Sequence, residues 1–202
     1  MVMDGVYLSS STGSLSSTVK FGMSPSLATR IMKLGANITK TQGRFNIMSN
    51  MICLAGMPGV GKTTWAKRFL ENHPDYVYFN PDQYYAFFNG DDTIRDNTFE
   101  VWMSMFRDIH TAMKEDKNVL VDSDNLTFHQ RMQWIEWFPE FEHILVFFEE
   151  PYLVCEKRML QRRRKLPYHV MLSKWERWER PTRETDGRFW KRIYRGHHIE
   201  RS

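Results

Sequence analysis

The stretch GMPGVGKTT at residues 56–64 is the part of the sequence best suited to chemistry. It satisfies the pattern G-x-x-x-x-G-K-[ST], in which a glycine-rich loop joins a strand to a helix and surrounds phosphate oxygens with backbone N–H groups. The apolar run MICLA precedes it and a helical pattern follows, which is the context the motif requires. The residues predicted to bind a nucleoside triphosphate are Gly56, Met57, Pro58, Gly59, Val60, Gly61, Lys62, Thr63 and Thr64.

Two side chains of this loop have distinct predicted roles. Lys62 is expected to reach the β- and γ-phosphates, and the Thr63 hydroxyl is expected to ligate Mg²⁺. The alternative is a glycine-rich turn before a helix, which does not require the lysine and the threonine in register. The sequence lacks the N-K-x-D pattern of guanine-specific GTPases, and 202 residues hardly hold the second half of a large ATPase. A small kinase is therefore the predicted class.

Two aspartates directly follow predicted strands. Asp82 follows YVYFNP and Asp122 ends NVLVD, and the site of an open parallel sheet forms at the carboxyl ends of its strands. Phosphoryl transfer to a hydroxyl needs a carboxylate that accepts the proton of the acceptor, and further groups that hold the metal. We assign Asp82 as the candidate base and Asp122 to the metal shell or to acceptor positioning. The alternative for each is an Asp that caps the next segment.

The basic stretch EKRMLQRRRK covers residues 156–165. Arg158 and Arg162 lie four residues apart in a helix predicted from Tyr152 to Arg164, which would place both on one helix face. Arginines on a mobile lid can stabilise the charge of a phosphoryl-transfer transition state, because a guanidinium group donates two hydrogen bonds at once. The alternative is a solvated helix whose last cations complement the helix dipole.

The last quarter of the chain is basic and rich in aromatic residues. Residues 151–202 carry fifteen Lys or Arg against six Asp or Glu. Aromatic side chains among arginines suit single-stranded nucleic acid, whose bases stack while its phosphates are neutralised. At helical spacing, the same aromatics belong slightly more often to a core. The residues concerned are Trp175, Trp178, Trp190 and Tyr194, interleaved with Arg177, Arg180, Arg183, Arg188, Arg192 and Arg195.

Strand and helix patterns alternate from Met51 onward. The segments MICLAG, YVYFN, NVLVD and HILVFFEE predict strands, and helices are predicted from Thr63 to Asn72, Ile94 to Glu115, Phe128 to Trp137, and Val170 to Trp178. Strands rich in β-branched and aromatic residues, separated by helices, indicate a parallel sheet covered on both faces. The predicted fold class is α/β, with a central sheet of about four to five strands.

Composition limits the remaining possibilities. The chain is 42% hydrophobic and 26% charged, its longest apolar runs are too short for a bilayer, and it fits one globular domain. Its two cysteines, Cys53 and Cys155, are interpreted as small core residues, which fits a reducing cytoplasm. Residues 1–49 are rich in Ser, Thr and Gly and are predicted to be a disordered extension, so that the folded domain spans residues 50–202.

Three segments together resemble the kinase domain of phage-type polynucleotide 5′-hydroxyl kinases and related small P-loop kinases of the AAA type. They are Gly56 to Trp65, Asn80 to Tyr84, and DSDNLT at residues 122–127 followed by Arg131. The resemblance implies a P-loop kinase fold with an arginine-bearing lid over about residues 51–180. It also implies that Asp82 activates a 5′-hydroxyl and that Arg158 and Arg162 are lid arginines, with Arg162 the better catalytic candidate. Where the family has an arginine that helps to hold the acceptor phosphate, this chain has Tyr85.

The expected function is an ATP- and Mg²⁺-dependent kinase whose acceptor is the 5′ end of single-stranded RNA or DNA. One alternative is a kinase of a small molecule or of a nucleotide sugar, in the manner of zeta toxins, which Tyr85 and the acidic middle of the chain favour. Another is a nucleotide-regulated nucleic-acid-binding protein with weak ATPase activity. A membrane partner is not expected, and the sequence carries no indication of the oligomeric state.

Overall fold

The computed structural model describes residues 48–162 and 166–196 of the chain. Strands and helices alternate through most of these residues. In chain order the elements are β1 (Asn50–Ala55), α1 (Lys62–Asn72), β2 (Tyr76–Phe79), α2 (Pro81–Asn89), α3 (Thr98–Lys114), β3 (Asn118–Asp122), α4 (Phe128–Trp137), β4 (Glu142–Phe147), α5 (Tyr152–Leu160), α6 (Tyr168–Glu176) and β5 (Arg192–Arg195).

The five strands form one sheet in the order β2-β3-β1-β4-β5. Every neighbouring pair is parallel, so all carboxyl ends lie at one edge. The central strand is β1, which means that the loop after it emerges between the ends of β3 and β4. The predicted α/β fold with a parallel sheet of four to five strands is confirmed.

Alternate residues of β1 face two separate cores, one on each side of the sheet. Met51, Cys53 and Ala55 point towards α3 and α4, whose buried side chains include Met105 and Trp134. Ile52 and Leu54 point the other way, and the core on that side includes Trp65 of α1, Met159 of α5 and Met171 of α6. Both cysteines are free and buried, as expected for small core residues.

The segment between β2 and β3 differs from the prediction. The sequence predicts one helix from Ile94 to Glu115, but α3 begins only at Thr98, because Asn97 has the left-handed backbone angles φ 52° and ψ 31°. A further helix, α2, was not predicted. It begins after Asn80, whose side chain accepts a hydrogen bond from the Asp82 N–H, and it has proline in its first turn, a position where proline is favoured.

The second half of the chain departs from the prediction at two places. The helix predicted to reach Arg164 ends at Leu160, and the Arg162 N–H bonds the Met159 carbonyl three residues back, outside the helical pattern. The edge strand β5 was not predicted, because two of its four residues are exposed arginines and the other two are only partly buried, which hides a strand pattern.

The predicted extension of residues 1–49 falls almost entirely outside the described residues, which begin at residue 48. That prediction, and the domain boundary at residue 50, therefore stay predictions. Among the described helices, none has the length and apolar character needed to cross a membrane.

Candidate active site

The phosphate-binding loop follows β1 and is buried from Gly56 to Val60. Glycine is required at two of its positions for steric reasons. At Gly59, φ is +85° and an added Cβ would lie 2.5 Å from the Cys155 carbonyl oxygen of α5; at Gly56, it would lie 2.7 Å from the Phe148 carbonyl oxygen. The loop is therefore pressed between α5 and the end of β4, which fixes the direction of its backbone N–H groups.

Lys62 begins α1 and its side chain folds back over the loop. Its Nζ donates hydrogen bonds to the carbonyl oxygens of Gly56 at 2.6 Å and of Met57 at 3.1 Å. It also lies 3.0 Å from Oδ1 of Asp124, and only 7% of the residue is exposed. The ammonium group is thereby held at the mouth of the loop, where the phosphates of a nucleotide would lie.

Asp124 lies in the segment DSDNLT, and sequence analysis assigned it no role. Its carboxylate joins Lys62 to Lys174 of α6, whose Nζ donates to Oδ2. Burial alone would raise the pKa of Asp124, but the ammonium groups of Lys174 and Lys62 outweigh it and hold the pKa well below its usual range. Asp124 is therefore an anion that pairs with two cations.

The backbone around Asp124 is fixed from two sides. The Gly56 N–H donates to the Asp124 carbonyl oxygen at 2.9 Å. The side chain of the next residue, Asn125, is buried; it donates to the Leu54 carbonyl at 2.7 Å and accepts from the Trp134 indole N–H at 2.8 Å. The segment after β3 is therefore tied both to the phosphate loop and to β1.

Asp122 ends β3, and one oxygen of its carboxylate accepts three hydrogen bonds. Its Oδ2 accepts hydrogen bonds from the Thr63 hydroxyl at 2.7 Å, from the Tyr78 hydroxyl at 2.8 Å and from the Asn80 amide at 3.2 Å. Burial and then the charge of Asp122 raise the pKa of Tyr78, so this phenol stays a neutral donor.

The pairing of Thr63 with Asp122 fits a magnesium site. The described residues contain no group of three or more His, Cys, Asp or Glu able to hold a metal ion, but Mg²⁺ bound with phosphates commonly takes one or two protein ligands and completes its shell with water and phosphate oxygens. Thr63 and Asp122 are the residues that would hold it, directly or through water.

Asp82 lies in the first turn of α2, at the carboxyl end of β2. Its side chain is 46% exposed, and Oδ1 lies 2.7 Å from Nη2 of Arg95. The helix is capped by Asn80 and not by Asp82, so the capping alternative does not explain this aspartate. The same Asn80 also donates to Asp122, so it contacts the backbone of one predicted aspartate and the carboxylate of the other.

Arg95 is a residue that sequence reasoning missed. Its guanidinium carbon lies 4.2 Å above the ring centre of Tyr85, which is buried and bonds Thr98 through its hydroxyl at 3.2 Å. Tyr85 therefore supports an arginine from another part of the chain. Arg95 follows Asp82 by thirteen positions, and no helix or strand periodicity predicts a contact between them.

The two predicted lid arginines lie in different surroundings. Arg158 of α5 is near the phosphate loop: its Nη1 lies 3.3 Å from the Gly59 carbonyl oxygen, and its Nη2 pairs with Glu150 at 3.2 Å. Arg162 is exposed and lies two residues beyond the end of α5. The prediction that both share one helix face is wrong, because the helix stops between them; their lid roles stay predictions.

The aromatic residues of the basic tail divide into buried and partly exposed ones. Trp190 is 3% exposed and belongs to the core, as the core alternative expected, and Trp178 packs against both cores. Trp175 is 39% exposed and meets the Tyr152 ring edge-on. Two of the arginines, Arg180 and Arg195, have their charged groups next to Glu149, so part of the positive charge is neutralised within the chain.

Comparison with known proteins places residues 51–184 in a family. The family described as "AAA domain" matches residues 51–184. A curated relative, L-seryl-tRNA(Sec) kinase from Methanococcus maripaludis, is 25% identical over 142 residues, which cover 65% of this chain and 53% of that protein. The chain thus spans about half the length of the curated relative that it matches.

Solved structures show a similar fold at low sequence identity. The Pnkp1/Rnl/Hen1 RNA repair complex matches with a TM-score of 0.59 at 18% identity, covering 74% of this chain and 49% of that chain. A fungal RNA kinase matches at 0.56 and 15%, covering 73% and 38%. A gluconokinase from Sinorhizobium meliloti 1021 matches at 0.50 and 18%, covering 74% and 83%.

The resemblance inferred from the sequence is confirmed at the level of family and fold. The family match runs from the first residue after Asn50 through the phosphate loop, both strand-end aspartates and α6. With its phosphate-binding loop and five-stranded parallel sheet, the chain belongs to the AAA domain family and has the fold of its P-loop kinases.

Proposed function

We propose that this protein is an ATP- and Mg²⁺-dependent kinase that phosphorylates the 5′-hydroxyl of RNA or DNA. The observation that carries the proposal is the pairing of Asp82 with Arg95 at 2.7 Å, at the strand edge that also holds the phosphate loop. A carboxylate can accept the proton of a hydroxyl, and an adjacent guanidinium can hold a phosphate of the same acceptor.

The donor side follows from the loop. Its backbone N–H groups and Lys62 bind the phosphates of ATP, and Thr63 with Asp122 holds Mg²⁺, which when bound neutralises developing charge on the phosphate oxygens. Arg158 stands next to the Gly59 carbonyl and Arg162 lies just beyond α5. In this proposal both arginines stabilise the transferring group, and the first four N–H groups of α1 add the positive end of its dipole.

Chemistry at the acceptor needs one proton transfer and one displacement. Asp82 accepts the proton of the acceptor hydroxyl while that oxygen forms a bond to the γ-phosphorus. The bond from the γ-phosphorus to the bridging oxygen breaks, and ADP leaves with the electron pair. The 46% exposure of the Asp82 side chain leaves room for an acceptor to approach.

The positive charge next to Asp82 indicates the kind of acceptor. A guanidinium held over a buried tyrosine and next to the candidate base favours an acceptor that carries an anionic group near its hydroxyl. A nucleic acid 5′ end does so through its first internucleotide phosphate. The names of the curated relative and of two structural neighbours, a tRNA kinase, an RNA repair complex and an RNA kinase, agree with a nucleic-acid acceptor.

A second candidate is a kinase of a small anionic metabolite. It is favoured by the gluconokinase, because this chain covers 83% of that structure against 49% and 38% of the two RNA-related ones. Arg95 could bind a carboxylate in the same way as a phosphate. A nucleotide-regulated binding protein is less well supported, since Asp82 and Arg95 would have no task in it.

The test is transfer of labelled γ-phosphate from ATP to a panel of acceptors. The panel contains 5′-hydroxyl RNA and DNA oligonucleotides, seryl-tRNA, nucleosides and gluconate. We expect labelling of oligonucleotides and loss of at least about a hundredfold in kcat for Asp82→Asn, with ATP binding retained.

Asp75→Asn is the matched control for this variant. Asp75 precedes β2, at the amino-terminal end of the strands and therefore away from the candidate active site, and it accepts a hydrogen bond from the Asn118 amide. Its replacement should therefore leave labelling unchanged. Labelling of gluconate alone would move the function to metabolite phosphorylation, and ATP turnover that is indifferent to every acceptor would refute a kinase.

A further inference from the structure

One carboxylate in the site is shared by two lysines. Asp124 accepts from Lys62 through Oδ1 and from Lys174 through Oδ2. Lys62 is the lysine of the phosphate-binding motif, while Lys174 lies in the last turn of α6, more than a hundred residues away along the chain. Neither Asp124 nor Lys174 belongs to the motif, and the transfer step described above uses neither.

The position of Lys174 is fixed by its helix and does not depend on the lid arginines. Met171, one turn earlier on α6, is 2% exposed and packs in the core that also holds Met57 and Val60 of the phosphate loop. Just after α6, the Glu179 N–H donates to the Leu126 carbonyl at 2.9 Å, and the Glu179 carbonyl accepts from Arg131 at 3.0 Å. The segment that carries Lys174 is thus attached to the segment that carries Asp124.

The charges of these three groups decide how strongly Lys62 can attract a phosphate. Two ammonium groups against one carboxylate leave a net positive charge at the loop. Without Lys174, Asp124 would pair with Lys62 alone, and the two opposite charges would cancel in a partly buried site where their attraction is poorly screened. The phosphates would then compete with Asp124 for Lys62.

We propose that Lys174 and Asp124 are a positioning pair that sets the charge and the orientation of Lys62. Asp124 holds the Lys62 ammonium at the mouth of the loop, and Lys174 draws the carboxylate to its own side, so that Lys62 keeps an attraction for the β- and γ-phosphates. The inference rests on nucleotide binding by the phosphate loop and is independent of the acceptor in the proposed function.

The test measures the Kd of a fluorescent ATP analogue for four proteins: the wild type, Lys174→Met, Asp124→Asn, and the double variant. We expect Lys174→Met to weaken binding by about tenfold, the size of effect expected when a charge-assisted hydrogen bond is lost. Removing the charge of Asp124 should relieve this defect, so the double variant should bind within about threefold of the wild type, as Asp124→Asn does. The KM for the acceptor should stay unchanged throughout.

Lys191→Met is the matched control. Lys191 also forms an ion pair, with Glu142, but both residues lie at the amino-terminal ends of their strands, away from the phosphate loop. The loss of Lys191 should therefore leave nucleotide affinity unchanged. If Lys174→Met does not fold, Lys174→Gln in the same cycle serves instead, and Lys174→Arg is expected to keep the wild-type affinity.

Two results would overturn the inference. One is an unchanged Kd in Lys174→Met; the other is a double variant that binds no better than Lys174→Met, because Asp124→Asn would not rescue the loss of a lysine that acts independently of Asp124. The two proposals can fail separately. If the four Kd values are as predicted but no acceptor is labelled, only the proposed function is refuted. If oligonucleotides are labelled but the four Kd values differ from the prediction, only the role of Lys174 and Asp124 is refuted.

Discussion

Replacing Arg131 by methionine should destabilise the fold strongly. Arg131 is 1% exposed and forms an ion pair with Asp186, which is fully buried. Its Nε and Nη2 donate to the two oxygens of that carboxylate at 2.7 and 3.2 Å, and its Nη1 donates to the carbonyl oxygens of Asn125, Leu126 and Glu179. The arginine therefore joins three segments around the site.

The expected size follows from what Arg131→Met leaves behind. Asp186 would lose its cationic partner inside the protein, and breaking a buried ion pair from one side costs about 3–5 kcal/mol. The three carbonyls would lose a shared donor as well, so the upper part of that range is expected. Since a domain is stable by only about 5–15 kcal/mol, this one substitution should remove a large part of the free energy of unfolding.

Urea unfolding followed by tryptophan fluorescence measures this loss. Arg107→Met is the matched control, because Arg107 is exposed on α3 and its replacement should change the free energy of unfolding by less than about 0.5 kcal/mol. Replacing Asp186 together with Arg131 by apolar residues should recover part of the loss. A loss below about 1 kcal/mol in Arg131→Met would show that the buried ion pair does not stabilise the fold to this extent.

Three further predictions concern the loop, the pH dependence and the lid. Gly59→Ala should lower both the Tm and the affinity for ATP, because its φ is +85° and the new Cβ would lie 2.5 Å from the Cys155 carbonyl oxygen. Burial lowers the pKa of His143 from 6.5 to about 4. The free energy of unfolding should therefore decrease as the pH falls below about 6.5, by at most about 1.4 kcal/mol per pH unit. His143→Gln, which can still donate to the Phe138 carbonyl, should flatten a plot of Tm against pH. Arg162→Gln should lower kcat at least about tenfold in steady-state assays and leave the KM for ATP unchanged.

Comparison variants make these three predictions specific. Gly90→Ala also has positive φ, +71°, but its Cβ would meet nothing within 4 Å, so it should cost less stability than Gly59→Ala and leave ATP affinity intact. Equal effects at both glycines would contradict the role of the contact with α5. Arg158→Gln should raise the KM for ATP, since Arg158 contacts the loop, and a kcat unaffected by Arg162→Gln would remove Arg162 from the mechanism. A Tm that falls with pH as steeply in His143→Gln as in the wild type would rule out His143 as the titrating group.

The sequence predicted most closely what is encoded by neighbouring residues. The bounds of β3 and α4 match the prediction, since a buried β-branched run and a capping box at the start of a helix are each formed by neighbouring residues. The loop from Gly56 to Thr63 has the predicted strand-loop-helix context. Because the carboxyl ends of parallel strands lie together, Asp122 and Thr63 are expected to be near each other. The Thr63 hydroxyl oxygen lies 2.7 Å from Oδ2 of Asp122.

Contacts between distant parts of the chain were missed. Nothing in the spacing of Lys174, Asp124 and Lys62 indicates that α6 and the segment after β3 meet at the phosphate loop. Arg95 reaches Asp82 only because α2 turns the chain back at Gly90, whose φ is +71°. Such pairs depend on tertiary packing, which periodicity and capping signals do not encode.

In the proposed function, Asp82 and Arg95 form an acceptor site for a hydroxyl compound with a nearby phosphate. The most direct measurement compares labelled phosphate transfer to a nucleoside 3′-phosphate and to the same nucleoside without phosphate, with wild type and Arg95→Met. We predict that the wild type prefers the 3′-phosphate in kcat/KM by at least about tenfold, and that Arg95→Met abolishes the preference mainly through KM. Equal labelling of both compounds by the wild type, or a preference that survives in Arg95→Met, would show that Arg95 does not bind an acceptor phosphate.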